Sequence, residues 1–297
     1  TTVMNISAFH GWTQVLIPRP EAGAVLEALI KHKVDFMPAV PTFYVGLLNH
    51  PKIKESDIST IKGCFSGAAP LPVDVIREFE AKTGAPICEG YGLSETTPVV
   101  TINPYGGKTI PGSIGLPIPD TECKIVDLDE GTKEMKIGEE GELCVRGPQV
   151  MSGYYKMPDE TAKTLRDGWL YTGDISKVDE NGYFYIVDRK KDMIIAGGYN
   201  IYPRDIDEVL FEHPKILEAC AIGVPDKYRG ETVKAFVVLK PGETMTEQEV
   251  IDYCKTKLAA YKVPKMVEFI NELPKSNVGK ILRKELRKME LEKMEKK

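Results

Sequence analysis

The sequence predicts a mixed α/β fold in three successive parts, and three observations carry it. Over residues 1–96 strand-length apolar runs alternate with helical patterns, the rhythm of a parallel sheet. Over 97–187 the runs shorten and are split by Gly and Pro, and over 188–297 the composition returns to helices mixed with strands. The first part reads as the end of a parallel α/β subdomain, the second as a small β unit, and the third as an α+β domain entered through an exposed charged joint.

In chain order, Gln14 to Ile17 has the pattern of a strand, Ala22 to Lys33 of a helix, and Val34 to Met37 of a second strand. After a further apolar strand at Ile61 to Phe65, Pro72 opens the clearest helix, with Val75, Ile76 and Phe79 on one face and Gly84 as its stop. Ala85 to Cys88 is the next strand. In the middle part, Gly141 to Val145 is a strand and Asn181-Gly182 marks a hairpin. In the last part a helix begins near Pro203, and strands run from Ala219 to Val224 and Val233 to Leu239. Thr246 and Glu249 form a capping box before Val250, Ile251, Cys254 and Leu258. The charged segment from Arg283 to Lys297, with Leu286 and Met289 on one side, is expected to be a solvated terminal helix.

Composition narrows the function classes. With 297 residues, 42% hydrophobic and 28% charged, the chain is an ordinary globular mixture. A net charge of -5, from 39 Lys+Arg against 44 Asp+Glu, argues against nucleic acid as a partner. The six cysteines never form C-x-x-C, so they are expected to be reduced, mostly buried thiols of a cytoplasmic protein. No apolar run approaches the roughly 18 residues a membrane span needs, which leaves peripheral contact as the only membrane mode. The opening at Thr1, without an initiator Met, reads as a cut from a longer protein.

Five segments carry chemistry. Ser66-Gly67-Ala68-Ala69-Pro70, between a strand and a helix, is small enough for a flat ligand to approach the backbone, although a tight turn would look the same. Glu89 to Thr97 places a ring, hydroxyls and a carboxylate between two glycines, as parts for a base, a phosphate and Mg²⁺. It is neither a dinucleotide fingerprint nor a serine-hydrolase elbow. Tyr171-Thr172-Gly173-Asp174 offers a turn carboxylate that can accept from two ribose hydroxyls. Asp188-Arg189-Lys190-Lys191-Asp192 reads as an exposed charged joint, with Gly197-Gly198 behind it as a mobile loop. Finally, Pro274 to Ile281 sets Lys280 in a Gly-containing loop that is no Walker P-loop.

In this order the segments resemble the acyl-adenylate-forming superfamily of acyl-CoA synthetases, luciferases and peptide-synthetase adenylation domains, over essentially the whole chain. The wording of Pro111 to Gly115, Arg229 to Ala235 and Leu258 to Pro264 is most similar to long-chain fatty-acid–CoA ligases. The resemblance implies the adenylate-forming fold without its first subdomain, with a small β-barrel-like subdomain over 97–187 and a mobile α+β C-terminal lid domain over 188–297 hinged at 188–191. It further implies an enzyme that uses ATP and Mg²⁺ to activate a fatty acid as acyl-AMP and then transfers it to coenzyme A. By the same resemblance, Gly67, Ala68, Ala69, Tyr91 and Gly92 bind the nucleotide, with Tyr91 stacking on adenine. Ser94 or Thr96 contacts the α-phosphate, and Glu95 holds Mg²⁺. Asp174 and Arg189 bind ribose, Lys191 is the hinge, Gly197 and Gly198 approach the CoA arm, and Lys280 is the adenylation lysine.

Departures from the pattern bound these expectations. The Ser/Thr/Gly-rich loop that cradles the β- and γ-phosphates is not in this sequence, so the 297 residues are not expected to complete adenylation alone. Ile195 stands where some relatives have a lysine for thioester formation, and His10 reads as a structural histidine. The resemblance leaves room for a homodimer. It also leaves open an aryl-CoA ligase, a luciferase-like enzyme, a peptide-synthetase adenylation domain or a non-catalytic AMP-binding module.

Overall fold

The computed structural model describes residues 2–276 and 280–295. Contacts divide the chain into two units, residues 1–172 with 176–186, and residues 173–175 with 187–297.

The first unit opens with α1 (Thr2–His10), α2 (Ala22–His32), β1 (Phe36–Ala39), α3 (Pro41–Leu48), β2 (Gly63–Ser66), α4 (Val73–Thr83) and β3 (Ile87–Gly92), followed by β4 (Val99–Ile102) and β5 (Leu116–Pro117). These strands form one sheet in the order β1-β2-β3-β4-β5. The first three are parallel, and β4 and β5 add to them antiparallel. Helix α4 follows its sequence pattern closely, burying Val75, Ile76 and Phe79 and ending where Gly84 takes the left-handed conformation. The strand expected at 14–17 does not form. No strand among the described residues pairs with it, so its backbone groups cannot be satisfied as a ladder, and Leu16 is exposed.

Next come β6 (Glu122–Val126), β7 (Gly141–Arg146), α5 (Pro158–Thr164), β8 (Leu165–Arg166), β9 (Trp169–Val178) and β10 (Phe184–Arg189). Their sheet has the order β10-β9-β7-β6, with β8 on β9, and is open rather than closed. Leu143, Val145, Leu170 and Phe184 lie in its core. The Asn181-Gly182 hairpin is tied by Asp179, whose carboxylate accepts from the N–H groups of Asn181 and Tyr183.

The second unit continues with β11 (Ile194–Ala196), β12 (Tyr199–Ile201), α6 (Pro203–Phe211), β13 (Ile216–Asp226), β14 (Gly230–Leu239), α7 (Glu247–Lys257), β15 (Met266–Phe269) and α8 (Arg283–Glu295). Alternation along β14 sends Val233, Ala235 and Val237 into one core with α6 and α7, and Phe236 and Val238 into another with Leu286 of α8. The capping box of α7 is made: Glu249 N–H donates to the Thr246 hydroxyl, and Thr246 N–H to the Glu249 carboxylate.

Helix α8 is solvated, as expected, over Lys284, Glu285, Lys288 and Met289, but its other face is not. Leu286 is fully buried, Arg283 pairs with Asp207, and Glu290 lies 2.7 Å from Lys234 Nζ. Arg283 and Glu290 thus meet partners of the opposite sign in α6 and the sheet, which a one-dimensional charge run cannot reveal. All six cysteines are free thiols, five of them buried. Among the described residues no helix is long and apolar enough to cross a membrane.

Candidate functional site

In the first unit the two candidate segments leave neighbouring parallel strands at their carboxyl ends, the place where open α/β sheets bind ligands. Strand β2 ends at Ser66, in register with Glu89 of β3. Beyond it, Gly67, Ala68 and Ala69 turn into α4, and a Cβ on Gly67 would lie 3.2 Å from the Gly90 carbonyl oxygen, so the loop rests against β3. Ala68 has φ +71°, a conformation uncommon for a residue with a Cβ. The Ser66 hydroxyl beside it is buried without a hydrogen-bond partner.

Strand β3 carries Tyr91, which packs against the core around Val100 and Phe184, and ends at Gly92. No other residue fits there, because a Cβ would sit 1.7 Å from the Pro98 carbonyl oxygen. A single 3₁₀ turn then holds Ser94, Glu95 and Thr96. Of the two hydroxyls expected at a phosphate, that of Thr96 is spent internally. It accepts from Leu93 N–H at 3.0 Å and lies 3.1 and 3.0 Å from the carbonyl oxygens of Leu93 and Pro98, and Thr96 is fully buried. Ser94 is exposed.

Glu95 has a partner that sequence reasoning missed. The Tyr154 hydroxyl donates to its Oε1 at 2.7 Å, and Met151 N–H donates to its carbonyl at 2.8 Å. Burial, reinforced by this carboxylate, pushes the Tyr154 phenol above its ordinary range. Nothing local in Gly153-Tyr154-Tyr155 signals the contact, which arises only when the chain returns to β3. Among the described residues no group of three or more His, Cys, Asp or Glu is placed to hold a metal. His10 stacks on Trp12 at 5.0 Å and is exposed.

The second unit gathers the remaining candidates from distant stretches. Gly173, within β9 at φ +72°, accepts at its carbonyl from Lys190 N–H at 2.8 Å. Asp174, only 6% exposed, faces Arg189, whose Nε lies 3.4 Å from its Oδ1. Lys280 closes a small loop: Ser276 N–H donates to its carbonyl at 2.8 Å, and its own N–H to the Ser276 hydroxyl at 3.2 Å. Burial pulls the Lys280 ammonium below its ordinary value. The charges of Arg189 and Lys191 add to that, and those of Asp174 and Asp192 oppose it. Asp174, Arg189, Lys191 and Lys280 therefore share one electrostatic neighbourhood. Asn277, Val278 and Gly279, also in the segment singled out around Lys280, lie outside the described residues.

Two expectations for this unit need correction. The joint at 188–192 is not uniformly exposed: Asp188 is 5% exposed, and its carboxylate accepts from the N–H groups of Arg189 at 2.7 Å and Arg204 at 2.8 Å. Desolvation pushes Asp188 upward despite those donors. The Gly197-Gly198 loop is a tight two-residue hairpin turn between β11 and β12, with φ +60° and +83°. Positive φ at both central residues is what such a turn requires, which accounts for paired glycines without mobility. The hairpin is tied down by Gly197 N–H to the Arg229 carbonyl and by Ile195 N–H to the Glu231 carboxylate.

Chemically, one unit offers a ring, a hydroxyl and a carboxylate at strand ends, and the other a buried carboxylate, a guanidinium and an ammonium. Comparison with known proteins gives these groups a context. The chain is 52% identical over 292 residues to a long-chain-fatty-acid–CoA ligase of Bacillus subtilis, covering 98% of this chain and 52% of that relative. To a ligase of the same name from Escherichia coli O157:H7 it is 47% identical over 270 residues, covering 91% of this chain and 47% of the relative. The chain thus spans about half the length of the curated relatives it matches. Among solved structures, ATP-bound MatB from Rhodopseudomonas palustris superposes with a TM-score of 0.91 at 36% identity, over 97% of this chain and 56% of that one. The AMP-binding enzyme C-terminal domain matches residues 205–280. Because the AMP-binding enzyme model itself matches residues 1–155, more than half of the chain, the protein belongs to the AMP-binding enzyme family.

Proposed function

We propose that this chain forms part of an AMP-forming fatty-acid–CoA ligase. A carboxylate is a poor electrophile. Attack of the fatty-acid carboxylate on the α-phosphate of ATP makes an acyl-adenylate and releases pyrophosphate, and attack by the CoA thiol then releases AMP. In this reading Gly67, Ala68, Ala69, Tyr91 and Gly92 border the adenine, Asp174 and Arg189 take the ribose, and Ser94 meets the α-phosphate. Ser94 is preferred to Thr96 because the Thr96 hydroxyl is already engaged with the backbone.

Mg²⁺ would supply charge neutralisation on the phosphates, and Glu95 is the residue to hold it. One carboxylate suffices, since Mg²⁺ is commonly bound by one or two carboxylates with phosphates and water completing the octahedron. Lys191 is the hinge about which the last domain, 188–297, turns between the two half-reactions, and the Gly197-Gly198 hairpin borders the CoA arm. The long-chain acid is supported by the names of the ligases at 52% and 47% identity.

What supports the reading is the Asp174–Arg189 pair at 3.4 Å within one unit, with a partly desolvated Lys280 that feels the charges of both. A flexible ammonium there can meet the charge that develops on carboxylate and α-phosphate oxygens. In a complete enzyme carrying this chain, Lys280→Ala should slow acyl-adenylate formation by roughly 10²–10³-fold, the scale of losing one preorganised charge-stabilising donor. Synthetic acyl-adenylate with CoA should still give thioester at near the unmutated rate. Equal losses in both half-reactions would mean that Lys280 supports the fold or general nucleotide binding, and the reading would fall.

A further inference from the structure

One arginine outside every group considered so far touches the backbone at the proposed hinge. Arg287, on α8, donates from Nη1 to the Lys191 carbonyl at 2.9 Å and from Nη2 to the Asp192 carbonyl at 2.9 Å. Nη1 also lies 3.2 Å from Asp192 Oδ1. A guanidinium can serve three acceptors at once because its donors form a rigid planar fork.

The helix that carries it is firmly seated. Leu286 next to it is fully buried in the core with Phe236, and the ion pairs of Arg283 with Asp207 and of Glu290 with Lys234 flank it on either side. Upstream, the chain is anchored differently, through Lys190 N–H on the Gly173 carbonyl and Arg189 on Asp174. Between the upstream anchor at Lys190 N–H and the downstream anchor at the Lys191 carbonyl lie only the φ and ψ of residues 190 and 191. Past that point both carbonyls flanking the φ and ψ of Asp192 are held on α8, so residue 192 cannot take up a rotation.

We propose that Arg287 is a positioning residue that confines the turn of the chain to Lys190 and Lys191, by making Lys191 C=O and Asp192 move as one body with α8. The proposal rests on the reading of Lys191 as the hinge and adds the device that fixes its location. A swivel there must break the bond from Arg204 N–H to Asp188, which ties the upstream side to α6, and the bonds from the N–H groups of Asp192 and Met193 to the Arg189 carbonyl, while it leaves the Arg287 bonds intact. Sequence alone hides this, since Arg287 sits in a run of alternating charges that reads as a solvated face.

Two measurements test it, one of them independent of catalysis. In the 297-residue chain, Arg287→Ala should raise amide hydrogen exchange at residues 192 and 193, whose N–H groups donate to the Arg189 carbonyl, by about tenfold to a hundredfold, the cost of losing charge-assisted bonds that hold the turn. Amides of β13 and β14 should be unchanged. Unchanged exchange at 192 and 193 in a folded variant would overturn the proposal. Should the alanine variant fail to fold, Arg287→Lys serves instead: an ammonium keeps the charge but lacks the planar fork, so exchange should rise by a smaller factor, and exchange equal to the parent would be decisive against the clamp.

In a complete enzyme, Lys191→Pro fixes φ at 191 and restricts residue 190, and should block thioester formation from acyl-adenylate. Adding Arg287→Ala frees the dihedrals of Asp192 and should restore at least about tenfold of the lost rate. A double variant as slow as Lys191→Pro alone counts against the clamp. A Lys191→Pro enzyme that transfers at the normal rate instead removes the hinge reading, and the exchange measurement then decides on Arg287 by itself.

Discussion

In the first unit Tyr91, Ser94 and Glu95 hang from the carboxyl end of β3 and are held by shape: a glycine pressed against a carbonyl, a buried threonine hydroxyl knitting a 3₁₀ turn, one tyrosine on one carboxylate. In the second unit Asp174, Arg189 and Lys280 are held by charge, within a domain whose helix α8 is itself fastened through Arg283, Arg287 and Glu290. The difference teaches where each half is fragile. A shape-built site should fail when an atom is added, whereas a charge-built one should fail when a partner is removed and recover when both partners go.

The comparison breaks most severely at Gly92. An alanine Cβ 1.7 Å from the Pro98 carbonyl oxygen meets the backbone of Pro98 and Val99, with no flexible side chain to yield. Gly92→Ala should therefore destabilise by about 4–5 kcal/mol, the range reserved for gross steric conflict. A urea midpoint within error of the parent would show that β3 can move without cost and that shape does not fix Tyr91. For contrast, Gly67→Ala meets the Gly90 carbonyl only at 3.2 Å and should cost far less.

Next is Arg283. Its side chain and that of Asp207 are 17% and 21% exposed, and Asp207 also accepts from Ala221 N–H. Removing the guanidinium strands a largely desolvated carboxylate, so Arg283→Met should cost about 3 kcal/mol, whereas replacing both partners, Arg283→Met with Asp207→Leu, should recover most of it. Chemical unfolding of the two variants is the measurement. A double variant no better than the single one would mean that the pair acts through packing of α8 rather than through charge.

These two units also differ in how much of them was legible beforehand. Helix α4 could be read from Pro72 and Gly84, and α7 from Thr246 and Glu249, because caps and stops are local chemistry. The order of the candidate segments was legible for the same reason: each is a short run whose residue types suffice. What failed was everything decided by a remote partner. Gln14 to Ile17 has strand composition but no strand among the described residues to pair with, Arg283 and Arg287 of α8 meet carboxylates 76 and 95 positions away, and Tyr154 reaches Glu95 from 59 positions downstream. Gly197-Gly198 was misread more subtly, since two glycines serve a mobile loop and a tight hairpin equally well until the register of β11 on β12 is known.

The smallest expected effect belongs to a charge in the shape-built unit, and it shows how little that unit depends on charge. Asp127, in the loop between β6 and β7, accepts four backbone N–H bonds: from Glu130 and Gly131 on Oδ2, and from Thr132 and Lys133 on Oδ1. These bonds, that of Lys133 foremost, hold its carboxyl down from 3.8 to about 2. A carboxylate with a depressed folded value stabilises the fold above its ordinary value and loses that contribution as pH falls. The loss should therefore run from about pH 4 down to about pH 2 and be absent at neutrality. Because the side chain faces solvent, the effect on unfolding should be small. A carboxyl-carbon NMR titration should find Asp127 ionising near 2, and Asp127→Asn should flatten the acid limb of the stability profile over that interval. A titration near 3.8 would mean that the four donors shape the loop without favouring its charge, and would place even this contact on the side of shape.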